Sequence, residues 1–277
     1  MGRRTLGVAV ALSAVTVLTT GLPESALAVP ICFGRLATIV APTLPNENRQ
    51  IIGTDGDDVI VGGAGDDIIF GDAGNDRICA RKGRDVVYGW EGDDHLSGAR
   101  GRDRLYAEQG NDVIRGGAGS DLLAGGLDSD LMRGGSGIDT ADFSQDNLHG
   151  PIMVDLGAGT ATGAGGSDIL VPGTIENVVM NCSAEEDDVV IGDDRPNGLT
   201  GGSGADVIRG NGGADALYGG CTFGDGPDQL FGGPDDDRLY GQANDDVLDG
   251  EEGTDELDGG LGRDACLNGE SLFACET

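Results

Sequence analysis

Aspartate returns every nine residues along most of this chain, and an apolar residue follows it two places later. From Gly53 to Asp142 ten nonapeptides run without a gap. Position six is Asp58, Asp67, Asp76, Asp85, Asp94, Asp103, Asp112, Asp121, Asp130 and Asp139. Position eight is apolar in every one, from Ile60 to Ala141, and position four is Gly except at Asp128. A second array runs from Ser183 to Leu267 in the same phase, with Asp188, Asp206, Asp215, Asp228, Asp237, Asp246, Asp255 and Asp264 at position six and Asn197 in one unit. Four extra residues around Cys221 interrupt it once.

A formal charge of −32, 4% aromatic residues and 53 Gly would by themselves describe a solvated, disordered chain. The repeat argues otherwise, because a fixed period of this kind is the signature of stacked units. The three residues after each Asp should alternate outward, inward, outward, as a short strand does. Two turns and two strands would then close a coil of eighteen residues, and stacked coils would pair their strands in parallel around a thin aliphatic seam. On that geometry Asp58, Asp76, Asp94, Asp112 and Asp130 line one edge, and Asp67, Asp85, Asp103, Asp121 and Asp139 line the other.

A carboxylate every nine residues, on a turn whose glycines leave backbone carbonyls free to turn inward, offers hard oxygen ligands. Calcium accepts six to eight such oxygens in irregular geometry, whereas magnesium demands a stricter octahedron. Soft ligands are sparse, since His95 and His149 are the only histidines and neither recurs. Multiple calcium ions are therefore the expected cofactor, held by the position-six aspartates named above. Eighteen aliphatic side chains at position eight are little burial against the cost of ordering the backbone. The arrays are thus expected to be largely unfolded without calcium and to fold with it.

The units "GGAGDDIIF", "GGAGSDLLA" and "GGSGADVIR" resemble the GGxGxDxUx nonapeptide of the repeats-in-toxin (RTX), or haemolysin-type calcium-binding, family. The resemblance spans about two thirds of the chain. It implies an all-β fold, a right-handed parallel β-roll with calcium between successive loops. Members often leave the cell through an uncleaved C-terminal signal. Here Arg3 and Arg4 instead precede an uncharged run, Leu6 to Leu22, that ends near Ser25-Ala26-Leu27-Ala28. That is the pattern of a cleaved signal peptide over residues 1–28. Secretion is the expectation, with no membrane span once the leader is removed.

The expected organisation is then an N-terminal cap (29–52), a first calcium-binding array (53–142), an inter-repeat β segment (143–182), a second array (183–267) and a C-terminal cap (268–277). Within 143–182 the pieces "VDL", "TATG" and "IENV" resemble segments that lengthen or cover the roll in the same family. Six cysteines suit an oxidising exterior and allow fifteen connectivities. Cys266 and Cys275 are near enough for a local clasp, Cys32 and Cys79 could tie the cap to the roll, and Cys182 and Cys221 would remain.

Seven of the seventeen basic residues fall between Arg77 and Arg104, and Arg81, Lys82, Arg84, Arg100 and Arg102 should share an edge. They read as charge compensation at a weakened calcium site or as a patch for an anionic ligand. The acidic balance excludes nucleic acid as a partner. No G-x-S-x-G, H-E-x-x-H or P-loop occurs, so no enzyme is expected, and His95 is expected to be an exposed surface residue. The predicted function is a secreted structural or adhesive protein at or near the cell surface. Competing readings are a polysaccharide-acting enzyme on a solenoid surface and a module recognising carbohydrate, wall or ice. Cell-surface or extracellular polysaccharide is the candidate partner besides calcium.

Overall fold

The computed structural model describes residues 30–40, 48–144, 150–163, 165–182, 186–221 and 226–275. The predicted signal peptide and His149 lie outside the described residues. Among the described residues every regular element is a strand, and two sheets of fourteen and twelve strands face each other along the roll. Each sheet takes every second strand, so neighbours are one coil apart. In the larger sheet Ile60 pairs with Ile78, then Leu96, Ile114 and Met132. In the smaller, Ile69 pairs with Val87, then Leu105, Leu123 and Ala141. All ten side chains are fully buried, one column per sheet, while positions seven and nine point outward.

The position-nine rings stack along the outer surface of the smaller sheet. Phe70, Tyr88 and Tyr106 lie face to face with centroids 5.3 and 5.0 Å apart, and Tyr218 stacks on Tyr240 at 5.0 Å. Such contacts between neighbouring strands support the parallel register.

Many strands are six residues long, as in Ile68–Ala73 and Val86–Glu91, rather than the expected three. The chain stays extended through position one, which is buried, and re-enters the ladder beyond it. Tyr88 pairs with Tyr106, and Trp90 with Glu108, the residue between being skipped. Position two carries the resulting twist. Asp72, Arg81, Trp90, Ala99 and Glu108 all adopt φ of 76–85°, a left-handed conformation that L residues resist.

The two arrays form one continuous roll. In the smaller sheet Val178 sits directly between Ala141 and Leu199. In the larger sheet the same level is a meander: Gly166–Leu170 pairs in parallel with Leu131–Ser136, turns back antiparallel through Thr160–Gly163 and Ile152–Asp155, and then pairs in parallel with Val189–Ile191. Leu170 and Val154 keep the buried column intact across it.

Three disulfides, Cys32–Cys79, Cys182–Cys221 and Cys266–Cys275, settle the pairing. The first lays a small hairpin, Ile31–Cys32 against Arg35–Leu36, over the outer side of the larger sheet, where Cys32 and Ala37 bury Val59 and Val61. Phe33 reaches His95, with ring centroids 5.3 Å apart, and the guanidinium of Arg115 lies over the Phe33 ring, 5.1 Å from its centroid. His95 is consequently half-buried, not the exposed residue expected from its place beside Asp94, because the cap folds across a face that local sequence does not connect to it.

Candidate metal centres along the two edges

Every position-six Asp named above is buried, at 7% exposure or less, although each belongs to a loop. The reason is a ladder of hydrogen bonds between coils. The amide of Asp58 donates to Asp76 Oδ1, Asp76 to Asp94, Asp94 to Asp112 and Asp112 to Asp130, at 2.7–2.8 Å. On the other edge Asp67, Asp85, Asp103, Asp121 and Asp139 are joined in the same way at 2.8–2.9 Å. In the second array one edge runs Asp188, Asp206, Asp228, Asp246, Asp264 and the other Asn197, Asp215, Asp237, Asp255.

One oxygen of each carboxylate is thus occupied. The second, Oδ2, is buried without a donor in Asp76, Asp85, Asp94, Asp103, Asp112, Asp121, Asp130, Asp139, Asp215, Asp237 and Asp255. A buried oxygen of that kind is costly unless a proton or a cation meets it. It also faces a main-chain oxygen of the next coil: a β-carbon built on Gly116 would fall 2.6 Å from Asp121 Oδ2 and 2.7 Å from the Gly134 carbonyl. Glycine at position one leaves that cradle open. At position four the coils approach closer still, and a β-carbon on Gly101 would overlap the Gly83 carbonyl.

Burial pushes these carboxyls far above the usual range, with neighbouring aspartates adding to the rise against the hydrogen bond that opposes it. Asp94 and Asp130 are pushed up to about 8, and Asp76, Asp103 and Asp112 to about 7. Asp85, Asp139 and Asp188 rise to about 6. Among the described residues no three acidic, histidine or cysteine side chains converge on one point. An ion here would share one or two carboxylates with main-chain carbonyls, an all-oxygen set that fits calcium. Bound calcium would supply the positive charge that the paired loops lack.

The ladders include residues that the period alone did not reveal. Asp168 Oδ1 accepts the amide of Asp130 at 3.0 Å, and Glu176 Oε2 accepts that of Asp139 at 2.9 Å. Glu270 Oε2 receives the amide of Asp255 at 2.7 Å and ends its edge. The surviving signal was an acid two places before an apolar residue: Asp168 before Leu170, Glu176 before Val178 and Glu270 before Leu272. Conversely, three position-six residues accept from local donors. Asp58 Oδ2 accepts the amide and hydroxyl of Thr54, Asp67 Oδ2 the amide of Gly63, and Asn197 Oδ1 the amide of Asp193. All three lie near the start of an array.

Arg81, Lys82, Arg84, Arg100 and Arg102 are exposed on the Asp67 edge, with Lys82 beside Arg100 in register. Arg84 pairs with Asp66 at 3.2 Å.

Fold and site together define a parallel β-roll of nonapeptides with buried carboxylates strung along both edges. The sequence profile of the RTX calcium-binding nonapeptide repeat matches residues 50–78, 80–105, 106–141, 191–220, 224–257 and 231–265, more than half of the chain. The chain belongs to this RTX calcium-binding repeat family. No curated protein matches it.

Proposed function

We propose that the chain is exported by its N-terminal leader, folds outside the cell as calcium binds, and serves as a structural or adhesive element at or near the cell surface. The observation that carries this reading is the double file of buried, donorless Oδ2 atoms. Once ionised, they hold the roll together only if cations stand between the loops. Extracellular calcium modules bind at roughly 10⁻⁴–10⁻³ M, so the ion concentration outside the cell would act as the trigger. Three disulfides agree with an oxidising destination.

The test is a calcium titration of residues 29–277, followed by far-UV circular dichroism and by calorimetry to count ions. A cooperative gain of β-structure is expected, and a chain indifferent to calcium would end this reading. N-terminal sequencing of protein recovered from the medium should begin at Val29.

The exposed basic edge favours a second reading, recognition of an acidic polysaccharide along successive coils. Calcium-dependent retention on a uronic-acid polymer, reduced in the Arg84→Ala, Arg102→Ala variant, would support it. Turnover of that polymer would point instead to an enzyme.

A further inference from the structure

Asn197 stands where the other units of its edge carry Asp, and position four of the same unit is Arg195 rather than Gly. The guanidinium of Arg195 lies between this loop and the loop one coil earlier. It donates from Nη1 to Glu176 Oε1, from Nη2 to Asp193 Oδ2 at 2.7 Å and to the Ile175 carbonyl at 3.1 Å, and from Nε to Asp193 Oδ2 at 3.2 Å. Around it, Asn197 Nδ2 donates to the Glu176 carbonyl at 3.0 Å, and Asn197 Oδ1 accepts the Asp193 amide at 2.8 Å. Glu176 Oε2 is held by Asp139. A coil earlier on this edge, Asp139 keeps a buried Oδ2 with no donor.

From this contrast we infer that Arg195 is a built-in cation that replaces calcium between the Glu176 and Asn197 loops. The inference rests on the calcium reading of the other coils. A planar guanidinium meets carboxylate and carbonyl oxygens from both loops at once, which is the bridging role assigned elsewhere to the ion. Asn197 removes the charge that a second cation would otherwise have to balance. The consequence is a joint between the arrays that does not depend on calcium concentration and that divides this edge into two separate ion files.

The test compares bound calcium per chain, by equilibrium dialysis with metal analysis, in the mature protein, in Asn197→Asp, and in Arg195→Gln combined with Asn197→Asp. The double variant is expected to take up about one ion more than wild type, since it restores an acidic, uncompensated loop pair. Asn197→Asp alone, still holding Arg195, should match wild type. An unchanged count in a double variant whose circular dichroism in saturating calcium equals wild type overturns the inference. Should the double variant not fold, a crystal structure of the calcium-loaded wild type decides: Glu176 Oε1 is expected on Arg195, and a calcium ion on Glu176 overturns the proposal. Wild type that binds no calcium at all would overturn the underlying reading instead, a result distinct from either.

Discussion

Asp94 Oδ1 accepts the amide of Asp76 at 2.7 Å while its Oδ2, equally buried, receives no hydrogen bond. One carboxylate therefore does two jobs: it stitches a coil to its neighbour and leaves a negative oxygen for something else to satisfy. Asp94→Asn keeps the stitching oxygen and removes the charge. In chelator the variant should be more stable than wild type, by about 1–3 kcal/mol, the cost of a buried unsatisfied group. Its calcium capacity should fall. Residual β-structure in chelator by circular dichroism, paired with ion counting, checks both, and a variant with less β-structure than wild type in chelator would contradict the account.

The raised carboxyl groups fix the sign of the pH dependence without metal. Their folded values, about 6 to about 8, lie above the ordinary carboxylate value, so the roll binds more protons than the unfolded chain. That contribution is complete below pH ~4 and is lost as pH rises through the folded values. In chelator, β-structure should accordingly increase from pH 8 to pH 5, and calcium binding near neutrality should release protons. Circular dichroism and calorimetry in buffers of different ionisation enthalpy measure these effects. Loss of β-structure on mild acidification would refute the prediction.

Gly101 and Gly56 both occupy position four but should respond differently to alanine. Gly101 has φ +141° and its added β-carbon would strike the Gly83 carbonyl, whereas nothing lies within 4 Å at Gly56, in the first coil. Gly101→Ala should cost at least about 1–3 kcal/mol in calcium-saturated urea melts. Gly56→Ala should stay within about 0.5 kcal/mol, as surface substitutions usually do.

The N-terminal cap can be followed through one imidazole. Burial beneath Phe33 lowers the pKa of His95, and Arg77, Arg115 and Arg35 lower it further. Because the folded value is depressed, docking of the cap should weaken as pH falls below the ordinary imidazole range. Replacing Cys32 and Cys79 with Ala should destabilise the cap by about 2–4 kcal/mol and return His95 toward its ordinary pKa in a proton NMR titration. An unmoved titration would show that the cap does not control that site.

Much of this architecture could be read in advance where the period was unbroken. The division of Asp58 to Asp139 between two edges follows from eighteen residues per coil, and the hydrogen-bond ladders keep that spacing. Asp168 and Glu176 escaped because the meander shifts them out of phase, although the acid and its apolar partner remain two residues apart. The buried hydrogen bond on each aspartate was not legible either, since it joins groups a full coil apart. The tie of Cys32 to Cys79 was open to sequence reasoning and is present, but the face of the sheet that the cap covers, and with it the burial of His95, has no local signature. Arg195 was hidden for a simpler reason: an Arg for Gly exchange shows a departure from pattern but not where the guanidinium goes.

The meander at residues 152–170 spends three strands on one wall while the opposite wall passes straight from Thr140–Asp142 to Asn177–Val179. Length and phase are therefore uncoupled at this level. In the turn between Asp155 and Thr160 only Gly157 and Ala158 are exposed, Leu156 and Gly159 being buried. A segment inserted at that tip would leave the count of coils on either side unaltered, which makes it a natural docking bay for foreign sequence. A peptide grafted there would ride on the side of a rod whose pitch is set elsewhere.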